Sequence, residues 1–276
     1  MGESEDLRVV EEALARLALL EDVGTGDPTA EIVPSDRRAR GVVRAKQEGI
    51  ASGLGAAIEV FRIVDESVAV TVEKRAGERF APGDRLLVAE GATRSLLTAE
   101  RTALNFLQHL SGIATLTARF VAAAAGSVRI TDTRKTCPGL RLLEKEAVRH
   151  GGGVNHRLGL YDAVMIKENH VEAVGGIAAA VEAARAASSR LPIVVEVRDR
   201  EEARAAARLA VGRILLDNMS PEEAGACARE IAAIAATLPD PDPEEAGHRW
   251  IEGTWRPGDS LIQVEVSGRI RLEEVP

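Results

Sequence analysis

Two short stretches of this chain concentrate side chains fit to hold anions. Asp132-Thr133-Arg134-Lys135 closes one apolar run, and Lys167-Glu168-Asn169-His170 closes another. Between them stand three glycines, Gly151 to Gly153, and then Asn155-His156-Arg157, a Gly-rich cationic turn. Two further apolar runs end on Glu196 and Asp217, and a last one on Ser267-Gly268. The cationic set is Arg134, Lys135, His156, Arg157 and Lys167. Arginine is planar and bidentate and matches carboxylates and phosphates, so this set implies a substrate with several negative charges. Glu196 and Asp217 supply the oxygen ligands that Mg²⁺ prefers, shared with substrate phosphates and water. Ser267 and Gly268 can offer backbone N–H groups to a phosphate, as late loops of barrels do. Polyanion, Mg²⁺ and phosphate together point to a phosphorylated sugar, with a pyrophosphate as one form of it.

Each residue taken singly has a blander reading. A lone His156 is more often structural, and Glu196 and Asp217 are also what solvated strand ends look like. Cys137 beside Pro138 has no base next to it in sequence, so it is not read as a nucleophile. Lys167 on a barrel strand could form a Schiff base, but that role needs a desolvated amine. Glu168 beside it favours the charged form, so ion binding is the better reading.

These residues need a scaffold, and composition bounds it. The 276 residues make one large domain or two modest ones, 45% hydrophobic and 28% charged, which is ordinary for a globular protein. The formal charge of −8 argues against nucleic acid as a partner and makes a local cationic cluster the more informative sign. Aromatics are 3%, so the core must come from Ala, Val, Ile and Leu. Two cysteines give no disulfide framework, and neither a signal peptide nor a membrane span is evident; a cytoplasmic protein is expected.

Residues 5–21 show helical spacing at Leu7, Val10, Leu14, Leu17 and Leu20. Asp27-Pro28 reads as a cap or turn. Residues 39–96 read as β-rich with one short helix over 56–64, and Gly77 and Pro82-Gly83-Asp84 mark turns. A long helix is expected over 98–124, with Thr98 as its cap. That start puts Arg101 in the first turn, against the helix dipole, and hints at an anionic partner. From residue 127 strand and helix alternate four times: SVRIT, DAVMIK, LPIVVEV and GRILLD, each followed by a helical pattern. This is the pattern of a parallel sheet with crossover helices. A barrel and a doubly wound sheet both fit, but no Gly-rich dinucleotide fingerprint follows the first strand. Charged residues recurring at four strand ends favour the barrel, whose chemistry sits at that end. A Pro/Gly/acid-rich stretch over 238–260 and a fifth strand, LIQVEV, follow.

The segment DTRKTCPGLRLLEKEAVRHGGGVNHRLGLYDAVMIKENH closely resembles the quinolinate phosphoribosyltransferases, as do EDVGTGDPT, ERTALNFLQHLSGIAT, VVEVRD and ILLDNMSPEE. The resemblance runs from about residue 6 to 235. It implies an N-terminal α/β sandwich domain, residues 1–115, then an open α/β barrel, residues 116–276, with an atypical, shortened C-terminal end. It implies a homodimer or higher homo-oligomer that joins quinolinate to phosphoribosyl pyrophosphate with Mg²⁺, giving nicotinate mononucleotide, pyrophosphate and CO₂. By motif position, Arg134, His156 and Arg157 would bind the quinolinate carboxylates. Lys167 would be shared between these and the phosphates, and Lys135 would touch the anionic substrates. Glu196 and Asp217 would face ribose and Mg²⁺, acting with Lys167 in catalysis, and Arg101 would reach a neighbouring subunit's site. The family's Ser-Gly-Gly turn is here Ser267-Gly268-Arg269, and 238–260 is longer than the family needs. A molybdenum-transport-associated paralogue with another acceptor, and a non-catalytic anion-binding homologue, are the rival readings.

Overall fold

The computed structural model describes residues 3–187, 191–239, 262–268 and 272. The stretch 240–261 and Arg269 lie outside the described residues. The chain divides into two compact units, with the boundary between Val154 and Asn155.

The first unit opens with α1 (Glu3–Asp22). Its buried stripe runs through Leu7, Leu14, Ala15 and Leu19, whereas Leu17 and Leu20 are exposed. The stripe follows steps of seven and four residues and takes in small Ala15, leaving Leu17 and Leu20 outside it. After the turn at Asp27, whose carboxylate accepts the Ala30 and Thr29 N–H groups, comes β1 (Arg38–Arg44). β2 (Gly49–Ile50), α2 (Leu54–Val64), β3 (Ala69–Val72), β4 (Arg79–Phe80) and β5 (Arg85–Ala92) follow. β1, β5 and β3 form an antiparallel sheet in that order, and β2 pairs with β4. Val60, Phe61, Leu87 and Ala89 join α2 and this sheet in one core. Full burial of a side chain such as Val60, Phe61 or Leu87 contributes about 1.5–3 kcal/mol.

β5 runs straight into α3 (Thr93–Ala124), five residues earlier than Thr98. Leu96 and Ala99 extend the buried stripe of Ala103, Leu107 and Leu110 toward the N-terminus, so burial rather than a cap sets the helix start. Thr98 caps nothing: its hydroxyl donates to Asp27 Oδ2 at 3.0 Å. Arg101 consequently lies in the third turn, beyond the reach of the dipole effect, and the expected electrostatic penalty does not arise.

SVRIT does not form a strand; only Thr131 makes a single parallel bridge, to Val154. Val128 is exposed, so this segment lacks the two covered faces that a buried parallel strand needs. α4 (Arg141–His150) follows and packs on α3 through Leu143 and Ala147 against Leu110 and Ala114. Gly151 and Gly153 lie where a Cβ would crowd α3. A Cβ on Gly151 would sit 2.4 Å from the Ala114 carbonyl oxygen and 2.7 Å from Thr117 Cβ. We expect Gly151→Ala to destabilise the protein by about 1–3 kcal/mol through overpacking against backbone, read as a lower urea midpoint. An unchanged midpoint would show that α3 and α4 can separate freely.

The second unit holds a four-stranded parallel sheet in the order β6 (Val164–Ile166), β7 (Ile193–Val197), β8 (Arg213–Asp217), β9 (Gln263–Ser267). Strand order equals chain order. A doubly wound sheet would reverse it at a switch point, so the singly wound, barrel-like reading holds. The helices are α5 (Glu168–Val174), α6 (Ile177–Ala187), α7 (Arg200–Arg208) and α8 (Pro221–Ala235). Local signals set their starts: Asp199 accepts the Glu201 and Glu202 N–H groups, and Ser220 with Glu223 forms a capping box ahead of Pro221. Val181, Ala206 and Ile231 of these helices pack in one core with Val195, Val197, Ile214 and Leu216. Alternation then sends Val194 and Leu215 to the opposite face, where they cluster with Ala163 and Met165.

Candidate functional site

The face of the second sheet turned away from its helices carries the candidate site residues. Lys167 follows β6 directly, and register places it level with Glu196 of β7, because Ile166 pairs with Val195. Asp217 of β8 pairs with Ser267 of β9. Glu196 shares its face with Val194, and Asp217 with Leu215, by the period of two along each strand. Four adjacent strands thus present Lys167, Glu196, Asp217 and Ser267 near their carboxyl ends.

Hydrogen bonds tie this row into two pairs. Lys167 Nζ donates to Glu196 Oε2 at 2.9 Å, with Glu196 mostly covered and Lys167 half exposed. Ser267 Oγ donates to Asp217 Oδ1 at 2.9 Å, and Asn218 Nδ2 donates to Asp217 Oδ2 at 2.8 Å. Asn218 adopts φ of +54° and its N–H donates to the Ser267 carbonyl, which fixes the turn after Asp217. Gly268 has φ of +137°, a region closed to other residues, and a Cβ there would meet Asn218 Oδ1 at 3.0 Å. Oxygen donors from two neighbouring strands, each with lone pairs left over, fit a hard divalent cation such as Mg²⁺.

A second, deeper layer is polar too. His156 Nε2 lies 3.2 Å from Glu265 Oε2, and Arg213 Nη1 lies 3.3 Å from the same oxygen. Arg213 Nη2 also donates to Gln263. His156 Nδ1 accepts the Arg157 N–H at 2.7 Å, which leaves Nε2 as the ring nitrogen facing Glu265. Arg157 is buried and donates to the Ala163 carbonyl at 3.0 Å. Sequence reasoning misses Glu265, Gln263 and Arg213. The alternation in QVEVS does put Gln263, Glu265 and Ser267 on one face, so Glu265 carries a signal; Arg213, at the start of its strand, carries none.

Arg101, Arg134 and Lys135 belong to the first unit. Arg134 and Lys135 lie in the segment between Thr131 and α4. Arg134 Nε is buried and has no hydrogen-bond partner among the described residues, an orphaned donor that an anion would satisfy. Lys135 is exposed, and its N–H donates to Thr133 Oγ1. Arg141 and Thr136 brace the Arg134 carbonyl. A neighbouring pair has no counterpart in the sequence reading: Lys145, 1% exposed, donates to Asp132, 7% exposed. Cys137 does not look like a nucleophile, because the Glu144 carboxylate accepts its S–H and pushes the thiol up. Arg101 is exposed on α3, at a cavity of about 790 Å³ lined also by Leu104 and Gln108 of α3 and by Arg40, Arg44 and Lys46.

A singly wound parallel sheet with acids and a base at its strand ends, in a chain that begins with an antiparallel α/β unit, defines the class: an α/β-barrel enzyme for anionic substrates. The chain belongs to the quinolinate phosphoribosyl transferase family: residues 27–111 match the model of its N-terminal domain and residues 113–276 that of its C-terminal domain. The junction of the two matches falls inside α3. The chain is 42% identical over 205 residues to the probable nicotinate-nucleotide pyrophosphorylase (carboxylating) of Bacillus subtilis, covering 74% of this chain and 71% of that protein. It is 46% identical over 210 residues to the Mycobacterium leprae protein named nicotinate-nucleotide pyrophosphorylase (carboxylating), covering 74% and 73%. Among solved structures, NadC from Streptococcus pyogenes superposes with a TM-score of 0.82 at 38% identity, covering 95% of this chain and 85% of that one. The nicotinate-nucleotide pyrophosphorylase of Francisella tularensis gives 0.81 at 33% identity, covering 97% and 87%. Among the described residues no helix is long and apolar enough to cross a membrane.

Proposed function

We propose that this chain joins quinolinate to phosphoribosyl pyrophosphate, releasing pyrophosphate and CO₂ and forming nicotinate mononucleotide. The observation that carries the reading is the row Lys167, Glu196, Asp217 and Ser267 at adjacent strand ends, in a chain whose relatives are named for this chemistry. The row offers acids to a sugar and cation, a base to anions and a hydroxyl beside a backbone turn.

Roles follow from the chemistry each group can do. Arg134, with its orphaned donor, His156 and Arg157 serve the two quinolinate carboxylates. Lys135 adds charge for the anionic substrates, and Lys167 serves both carboxylate and phosphate. Glu196 and Asp217 face the ribose as its C1 becomes cation-like and would hold Mg²⁺, which when bound supplies charge neutralisation for the leaving pyrophosphate. The ring nitrogen attacks C1 as the bond from C1 to the pyrophosphate oxygen breaks. The nitrogen, now cationic, stabilises the electron pair left at the adjacent ring carbon when its carboxylate departs as CO₂, and that carbon then takes a proton. No side chain need become a covalent nucleophile; positioning and electrostatics suffice. Ser267 and the Gly268 turn accept the 5-phosphate. We further propose a cytoplasmic homodimer in which Arg101, exposed beside its cavity, completes the neighbouring subunit's site.

The test is direct. Purified protein with quinolinate, phosphoribosyl pyrophosphate and Mg²⁺ is expected to yield nicotinate mononucleotide and pyrophosphate in equal amounts. Pyrophosphate release with a different acid and none with quinolinate would replace the acceptor; no turnover with either would overturn the reading.

A further inference from the structure

Among the described residues, one group of His, Cys and acidic side chains brings three metal-ligand atoms together: His109, Cys137 and Glu144. It uses none of the residues assigned to the reaction. Three elements of the first unit build it. α3 presents His109, α4 presents Glu144 in its first turn, and the segment leading into α4 presents Cys137. The packing of Leu143 and Ala147 on Leu110 and Ala114 fixes the two helices beside each other.

The geometry is close to a coordination shell. His109 Nε2 lies 2.8 Å from Glu144 Oε1, and the Cys137 N–H donates to Glu144 Oε2 at 3.3 Å. The three ligand atoms all lie within 4.8 Å of one another. A tetrahedral Zn²⁺ with bonds of about 2.0–2.3 Å needs ligand atoms about 3.3–3.8 Å apart, so an ångström or so of side-chain movement closes the triangle. The Glu144 side chain is 10% exposed and held at its oxygens, while the His109 side chain is 41% exposed, so the cluster is anchored on one side and open to water on the other. Without a metal the same groups simply brace one another: the carboxylate accepts from the imidazole, the thiol and a backbone N–H.

We propose that His109, Cys137 and Glu144 form a binding site for a thiophilic divalent cation, Zn²⁺ above all, with three protein ligands and water in the fourth position. One nitrogen, one sulfur and one oxygen donor select against Mg²⁺ and Ca²⁺, which take oxygen ligands. The site is therefore distinct in kind from the carboxylates Glu196 and Asp217. Cys137 stands three residues after Arg134 and two after Lys135, so an ion here also anchors the segment that carries both.

Metal-free full-length protein titrated with Zn²⁺ by calorimetry is expected to bind one tight equivalent. Titration with Co²⁺ is expected to give a thiolate-to-metal charge-transfer band. Cys137→Ser should remove that band and weaken Zn²⁺ binding at least about 10–100-fold, with His109→Ala and Glu144→Gln each weakening it. Cys227→Ala is the control, because that thiol is buried in the second unit's core and should leave the band intact. Circular dichroism of each variant verifies folding. No saturable binding to the wild-type chain, binding unaltered by Cys137→Ser, or a band that survives in that variant would each overturn the site, and none depends on whether the enzyme turns over quinolinate.

Discussion

Asp217→Asn is expected to lower kcat/KM for nicotinate mononucleotide formation by about 10²–10³-fold, the usual consequence of removing one preorganised electrostatic group from a reacting centre. The substitution keeps size and shape. Ser267 Oγ can still donate to the retained carbonyl oxygen at Oδ1. The new amide nitrogen then faces Asn218 Nδ2, a donor, at 2.8 Å, and Asn218 answers by turning its amide so that its oxygen accepts. The turn to Ser267 stays closed through the Asn218 N–H. What disappears is the negative charge that the proposed mechanism sets beside the ribose and cation. Thermal denaturation should therefore match wild type, while initial rates fall and the Mg²⁺ concentration for half-maximal rate rises. Wild-type rates in this variant would show that Asp217 is a strand-end carboxylate and nothing more. Ser267→Ala should cost less, because it leaves the charge in place and removes a single donor.

The residues of that row are legible in the sequence because parallel strands buried on both faces are short apolar runs, and the run stops where the chain meets water. IVVEV and RILLD announce β7 and β8 in this way, and SPEE announces the start of α8. Elements whose limits depend on distant partners are not legible. Thr98 looks like a cap because Ser and Thr often cap, but Leu96 and Ala99 find a core to fill and the helix begins at Thr93. SVRIT has strand composition, yet only one residue of it pairs, because nothing covers Val128. Gly151 to Gly153 read as a Gly-rich cationic turn; the close approach of Gly151 and Gly153 to α3 depends on a helix whose contact with α4 no local pattern reveals. The polar layer of His156, Glu265 and Arg213 joins residues far apart in the chain, so only the register of β8 and β9 brings it into view.

Lys145→Met is expected to destabilise the folded chain by about 3–5 kcal/mol, since it removes the cation of a buried ion pair. In sequence, Lys145 sits in LEKEAVRH, where alternating charges look like a solvated helix face. In the structure its side chain is 1% exposed and donates to Asp132, itself 7% exposed. Methionine matches the stem of lysine and fills the same space, so the loss reports the charge and not a cavity. The double variant Lys145→Met/Asp132→Asn tests this reasoning. If the lost ion pair is the cause, neutralising Asp132 as well should recover a large part of the loss, and the two substitutions should couple by more than about 1 kcal/mol. Additive effects in urea denaturation, or a loss below about 1 kcal/mol for Lys145→Met alone, would mean that Asp132 finds water or another donor. The pair has a functional consequence as well. Asp132 is two residues before Arg134, whose Nε is buried and without a hydrogen-bond partner among the described residues; the anion-binding role proposed for Arg134 needs a rigid anchor. The single variant should therefore also raise KM for quinolinate at temperatures where the protein is still folded, and the double variant should restore it in step with stability.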